Sequence, residues 1–265
     1  MTEIVLTENA DSPVATLRLN RPEKMNAITL EMFDALPAAA EQLAAKPGLR
    51  AAILTGTGDH FCSGLDTSVF QQFVAQKDEM LRLLMTPLPG QKANWFQHPA
   101  AALQALPVPV IAAIRGNCFG GGMQFALAAD FRIAAPDARF SIMEAKWGLI
   151  PDMGITQSLP KLMRADQAKD LIMTARILDA AEALALGLIT WIEDHPEAAA
   201  ATYAETLCQR SPDALRAAKS LVEQTWTAAE AGLALEAELQ NQIIGHPNQI
   251  EAVMANMQKR PPKFR

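Results

Sequence analysis

Apolar positions in the first half of the chain fall into a few recurring patterns. Val14–Asn20 ("VATLRLN") alternates apolar and polar side chains and predicts a strand. Ala51–Thr55 ("AAILT") and Val108–Ile114 ("VPVIAAI") are nearly unbroken apolar runs, the signature of buried strands, and Phe131–Ala135 returns as another. Between them, Thr29–Ala45 is an Ala-rich stretch that predicts a helix, as do Gly120–Ala129, Ser158–Met163, Gln167–Thr174 and Ala180–Leu186. Strands separated by crossover helices predict an α/β core in which one sheet-forming unit recurs. Beyond His195 the pattern changes to "EAAAATYAETLCQR" and "PDALRAAKSLVEQTWTAAEAGLALEAELQNQII", almost pure helix formers without a strand signal. The chain therefore divides into a core over residues 1–195 and a helical region over residues 196–265.

One segment breaks the alternation. Thr67–Pro99 contains "MTPLPGQKANWFQHP", where prolines, a Pro-Gly pair and aromatics interrupt helical spacing; inside an α/β core such a stretch predicts a lid or pocket wall.

Composition narrows the function. With 265 residues, half of them apolar, the chain can bury one large core. Its net charge is −6 and its basic residues are scattered, so nucleic acid is not the expected partner. The N-terminal "MTEIVLTENADS" lacks the basic and apolar regions of a leader, and no apolar run approaches the roughly eighteen residues that span a bilayer, which predicts a cytoplasmic protein with no membrane partner. Cys62, Cys118 and Cys208, and His60, His98, His195 and His246, follow no metal-ligand or disulfide spacing, so no metal is expected.

Candidate chemistry concentrates in two glycine turns. "GNCFGGGMQFALAAD" (Gly116–Asp130) follows the strand Val108–Ile114 and opens a helix, and "GDHFCSGLD" (Gly58–Asp66) follows the strand Ala51–Thr55 in the same way. Taken alone, a glycine cluster is a tight turn. Two of them, each at a strand end, can instead bring paired backbone N–H groups to one carbonyl oxygen and stabilise it as an oxyanion. Neither turn carries the G-x-G-x-x-G or G-x-x-x-x-G-K-[ST] pattern of a nucleotide site.

At these residues the chain resembles the crotonase superfamily, the enoyl-CoA hydratase/isomerase family. "RPEKMNAI" (Arg21–Ile28), "FCSGLD" (Phe61–Asp66), the run Pro109–Asp152 and "ARILDAAEALALGLI" (Ala175–Ile189) match family landmarks in order, so the similarity covers nearly the whole chain. The resemblance implies a ββα spiral core with a C-terminal helical oligomerisation region that packs homotrimers and often homohexamers. It also implies acyl-CoA thioester substrates, with no cofactor besides the CoA that enters as part of the substrate. The oxyanion donors it implies are the backbone N–H groups of Leu65 and Gly121. The CoA moiety would run past Lys24–Ile28, with Ala27 and Ser63 offering backbone contacts to the adenine and Lys24 lying near the phosphates; read by itself, Lys24 is a solvated surface lysine.

The family's hydratases use two glutamates. Here the first of those positions holds Gln124, which can orient water but carries no proton at neutral pH, while the second falls on Glu144. Eight residues further on lies Asp152, matching a Glu/Asp pair in the family's dienoyl-CoA isomerases, which also carry an acid where this chain has Gln124. By itself, Glu144 is a loop carboxylate and Asp152 a residue that can cap the helix after it. Asp66 reads as structural, Trp95 and Trp147 as packing or pocket wall, and Cys62 and Cys118 as small buried fillers. The expected activity is double-bond isomerisation through an enolate, with Glu144 as acid/base and Asp152 as its candidate partner. The alternatives are hydration with Gln124 positioning the water, and an acyl-CoA-binding scaffold without catalysis.

Overall fold

The computed structural model describes residues 3–8, 12–226 and 247–265, apart from some side chains within its helices. Among the described residues nine strands form two sheets: β1 (Ile4–Glu8), β2 (Val14–Leu19), β3 (Ala51–Gly56), β4 (Val110–Ile114), β5 (Asn117–Phe119), β6 (Phe131–Ala134), β7 (Arg139–Ser141), β8 (Leu178–Asp179) and β9 (Trp191–Ile192). The larger sheet runs β1-β2-β3-β4-β6-β9, antiparallel only between β1 and β2. The smaller runs β5-β7-β8.

Helices cross between the strands: α1 (Leu30–Ala44), α2 (Thr67–Ala75), α3 (Lys77–Met85), α4 (His98–Ala105), α5 (Gly121–Leu127), α6 (Ile155–Ser158), α7 (Ala165–Thr174), α8 (Ala180–Ala185), α9 (Pro196–Cys208) and α10 (Pro212–Thr225), with a further helix at Pro247–Met257. The chain goes from β4 in the large sheet to β5 in the small one, through α5, and back to β6 and then β7. This is a repeating ββα turn. Its counterpart one turn earlier is β3 followed by Cys62, which bridges Cys118 of β5 in parallel.

The apolar patterns account for the layering. On β2, Ala15, Leu17 and Leu19 are buried and the residues between them only partly so, matching the alternation in the sequence. Strands β3 and β4 are buried along their whole length because both faces are covered. Ala52, Leu54, Ala112 and Ile114 point into the main core with Met32, Phe33, Leu36 and Leu43 of α1, whereas Ala51, Ile53, Ile111 and Ala113 meet Ala200 and Ala204 of α9.

Some expectations shift. Residues 158–163 form the end of α6 and a 3-10 turn at Leu159–Lys161, not one helix. Helix α9 lies beyond the expected boundary at residue 195 yet covers a face of the main sheet, so the core layering continues to residue 208. Helix α10 is tied to the core by Lys219, whose ammonium reaches Asp130 Oδ2 at 2.8 Å. The part of the expected C-terminal helix over residues 227–244 lies outside the described residues. Residues 67–99 hold α2, α3 and a short bridge between Pro87 and Asn94; the segment is anchored at its rear, where Trp95 packs on Phe33 and donates to Asp34 Oδ1 at 2.6 Å.

The loop Arg21–Ile28 is fastened by one side chain. Asn26 is fully buried with φ +54°, a left-handed conformation that asparagine tolerates better than most residues. Its Nδ2 donates to the carbonyls of Thr57 (3.0 Å) and His60 (2.7 Å), and its Oδ1 accepts the Arg21 N–H at 2.8 Å. Asn26→Ala strands three partly buried backbone groups, so it is expected to lower unfolding stability by about 2 kcal/mol in chemical denaturation. A loss below about 1 kcal/mol would show that the loop is held otherwise.

Candidate active site

The two glycine turns meet mainly through backbone, with His60 Nδ1 of the first also accepting the Asn117 N–H of the second at 3.1 Å. Phe61 N–H donates to Arg115 C=O (2.8 Å), Cys62 N–H to Asn117 C=O (2.9 Å) and Phe119 N–H to Cys62 C=O (3.0 Å), a parallel ladder joining one turn to the other. Past it, Gly64 (φ +94°) and Gly120 (φ +51°, ψ −124°) both take conformations that favour glycine. A Cβ on Gly120 would stand 3.8 Å from the Gly64 Cα, and one on Gly64 only 3.2 Å from the Phe119 carbonyl oxygen. Gly122 answers to packing instead, since a Cβ there would fall 2.5 Å from the Cys62 Cβ. The close approach of α5 to the first turn depends on that missing atom.

The two N–H groups singled out in the sequence lie on either side of this contact. Ile28 N–H donates to Gly64 C=O (2.8 Å) and Asp66 N–H to Ile28 C=O (2.9 Å), so a parallel bridge holds Leu65 from both sides while its own N–H points to the opposite edge. Gly121 is the first residue of α5, where an N–H has no acceptor within the helix. Neither N–H has a protein acceptor among the described residues. The first turn is braced further by Asp66, which accepts Ser68 N–H at 2.9 Å and the Arg21 guanidinium at 2.9 Å; those bonds hold its carboxyl below its ordinary pKa.

Glu144 opens a 3-10 turn, Glu144–Trp147, after β7, and its Oε1 would lie 3.7 Å from a Cβ on Gly120. The second glycine turn and the carboxylate are thus neighbours. Oε1 accepts Gln124 Nε2–H at 2.7 Å; Oε2 is buried without a hydrogen-bond partner. Gln124, almost fully buried on α5, takes the Met153 N–H on its Oε1 at 2.8 Å. Burial is the main cause that raises the Glu144 pKa, helped by the charge of Asp152 and opposed by the bonds from its own backbone N–H and from Gln124. Asp152 is likewise raised by burial. It does not cap the following helix, whose N-cap is Gly154.

The remaining candidates are more scattered in role. Lys24 is exposed. Ala27 is buried; its N–H donates to Lys24 C=O (3.0 Å) and its C=O accepts from Arg21 (2.7 Å), which leaves that carbonyl a second lone pair. Ser63 N–H donates to Met25 C=O at 3.0 Å. Trp95 faces α1, and Trp147 is exposed with Lys146 beside its ring. The Cys62 thiol is pushed up to about 12 by burial, which makes it an inert filler. Among the described residues no group of three or more His, Cys, Asp or Glu is arranged to hold a metal, and no helix is long and apolar enough to cross a membrane.

Three residues that flank this arrangement carried no role in the sequence reading. Asn26 fastens the loop bearing Ile28, while Ile28 Cδ1 and Met153 Sδ would lie 2.9 and 2.8 Å from a Cβ on Gly121 and so wall the second turn. Asn26 left a trace, as a turn-forming residue inside "RPEKMNAI". Ile28 and Met153 left none, because their part depends on which backbone they touch.

Comparison with known proteins agrees with this geometry. A model of the enoyl-CoA hydratase/isomerase family matches residues 9–265. The chain is 33% identical to the peroxisomal Delta(3,5)-Delta(2,4)-dienoyl-CoA isomerase of Arabidopsis thaliana over 98% of this chain and 95% of that one. It is 31% identical to the mitochondrial methylglutaconyl-CoA hydratase of Mus musculus over 97% of this chain and 81% of that one. The crystal structure of an enoyl-CoA hydratase from Bacillus anthracis superposes with a TM-score of 0.87 at 31% identity, covering 99% of each chain. A ββα spiral with two touching glycine turns, matched along nearly its whole length, belongs to the crotonase superfamily: the chain is a member of the enoyl-CoA hydratase/isomerase family.

Proposed function

We propose that this enzyme moves a carbon–carbon double bond along the acyl chain of an enoyl- or dienoyl-CoA thioester, in preference to adding water across it. The observation that carries the preference is the contact between Gln124 and Glu144. The side chain facing Glu144 from α5 is an amide, which neither takes up nor releases a proton near neutral pH. Hydration needs one group to deprotonate water and a proton delivered to the neighbouring carbon; a double-bond shift needs only a carboxylate that removes a proton and returns it elsewhere.

In this reading the thioester oxygen accepts the N–H groups of Leu65 and Gly121. Glu144, ionised, takes a proton from the carbon next to the carbonyl; the electron pair left behind spreads onto that oxygen as an enolate, then re-forms a C–H bond at the far end of the conjugated system. Each backbone donor contributes about 3 kcal/mol to holding the enolate. Asp152, partly buried and close enough for its charge to act on Glu144, is the partner that delivers the proton when the two carbons are far apart. Lys24 approaches the CoA phosphates. Copies of the chain associate as trimers or dimers of trimers, which the exposure of Met173 (72%), Ile150 (75%) and Trp226 (64%) supports.

Hydration is the second reading, favoured by the relatives named as hydratases; there Gln124 holds the water and Glu144 handles both protons. Parallel assays of 3-enoyl-CoA isomerisation and crotonyl-CoA hydration separate the two. Isomerisation is expected to be faster, and hydratase turnover exceeding it rejects the first reading.

Glu144→Ala is expected to lower kcat by about 1000-fold with binding of the CoA ester nearly unchanged, as measured by calorimetry beside steady-state kinetics. Gly64→Ala, which adds a Cβ against the Phe119 carbonyl at a positive φ, should displace the Leu65 N–H and lower kcat by about 100-fold. Because Glu144 must be ionised to act and burial raises its pKa, activity should fall on the acid side at a pH above that of an ordinary carboxylate. The sign for stability is opposite: a carboxyl that binds its proton more tightly when folded favours folding fully below its unfolded pKa, and that contribution is lost as pH rises through the folded value. Glu144→Gln should therefore raise Tm at neutral pH, with the gain shrinking towards about pH 4; an equal gain at both would contradict the shift.

A further inference from the structure

Gln124 does more than leave a carboxylate out. Its neighbours fix the direction of every hydrogen bond it makes, and the reasoning begins at Met153. A backbone N–H can only donate, so the group it meets at 2.8 Å must be the amide oxygen of Gln124. The other end of the amide is then the NH2, and its bond of 2.7 Å to Glu144 must run from nitrogen to Oε1. Oε1 accepts in both protonation states of Glu144. Oε1 already holds the amide's hydrogen, whereas Oε2 is buried and has no partner in the protein, so Oε2 is the oxygen open to the proton that Glu144 takes up.

Resting on the isomerase reading above, we infer that Gln124 is a positioning residue: through a one-way hydrogen-bond chain from Met153 N–H to Glu144 Oε1, it confines proton transfer to Oε2 and ties the loop bearing Asp152 to the same carboxylate. That loop is bound by the peptide N–H immediately after Asp152, and the Met153 thioether lies against Gly121, so one amide sets the acid/base, its partner and the wall of the second turn. The role belongs to an amide and not to an acid. A glutamate at 124 could accept from Met153, but it would reach Glu144 only by carrying a proton of its own.

Few charges compete for control of Glu144. Asp152 on the following loop is the ionisable group whose charge acts on it; α5 (Gly121–Leu127) carries no charged residue; Lys146 on the same 3-10 turn is exposed, as are Asp166, Lys169 and Asp170 on α7, which packs against that turn. The N–H of Gln124 favours the ionised carboxylate, and its removal leaves burial and Asp152 less opposed.

The test compares Gln124→Met, similar in shape but without a donor, with Gln124→Glu. The titration of Glu144 is followed directly by infrared difference spectroscopy, its carboxyl band identified by loss in Glu144→Gln. In Gln124→Met the Glu144 titration is expected to move to higher pH, the acid limb of kcat/KM to move with it, and kcat to fall about 10- to 100-fold while KM stays within about threefold. Gln124→Glu should regain activity only on the acid side, where residue 124 is protonated and donates as the amide does; being isosteric, it keeps the test intact should the methionine variant fail to fold. An unchanged Glu144 titration in Gln124→Met, or equal losses in both variants at every pH, overturns the inference. A shifted titration in Gln124→Met, when the parent enzyme moves no double bond on any acyl-CoA tested, rejects the isomerase reading and leaves the hydrogen-bond chain standing.

Discussion

The site depends on a ladder of three main-chain hydrogen bonds between Phe61–Cys62 and Arg115–Phe119. Those bonds align the ends of two separate ββα turns, so that residues 64–65 and 120–121 leave their strands side by side. The His60 ring adds one bond of its own, accepting the Asn117 N–H at 3.1 Å, and in a buried setting each bond is costly to leave unmade. The packing of Gly122 on Cys62 closes the same seam from the other side, and Asn26 binds the loop of Ile28 to it.

Around this fixed frame the chemistry is set by a few polar groups in a dry place. Burial makes the Glu144 carboxylate harder to ionise, and its own backbone N–H and the Gln124 amide partly compensate. The compensation is incomplete, since Oε2 has no donor. A carboxylate kept short of hydrogen bonds is more willing to take up a proton.

Much of the frame could be read from the sequence, and the reasons are specific. β3 and β4 announced themselves because both faces of each are buried, which writes a continuous apolar run; α1 did so because only one of its faces is buried. β8 and β9, two residues each, are too short to write any period, and their places come from pairing with β7 and β6. The glycine turns and Glu144 stood out by motif. That Gln124 grips Glu144 did not, because residues 20 apart in sequence meet only once α5 and β7 are stacked. Nor did the membership of α9 in the core show, since its buried alanines look like those of any exposed helix.

One last consequence concerns residues 67–99. The segment is pinned in front by Asp66, held to Arg21 and capping α2, and behind by Asn94, whose side chain caps the entry to α4 through Gln97, and by Trp95 on α1. Neither pin touches the ladder. What lies between the pins can therefore lengthen, shorten or change shape while the ladder keeps its register.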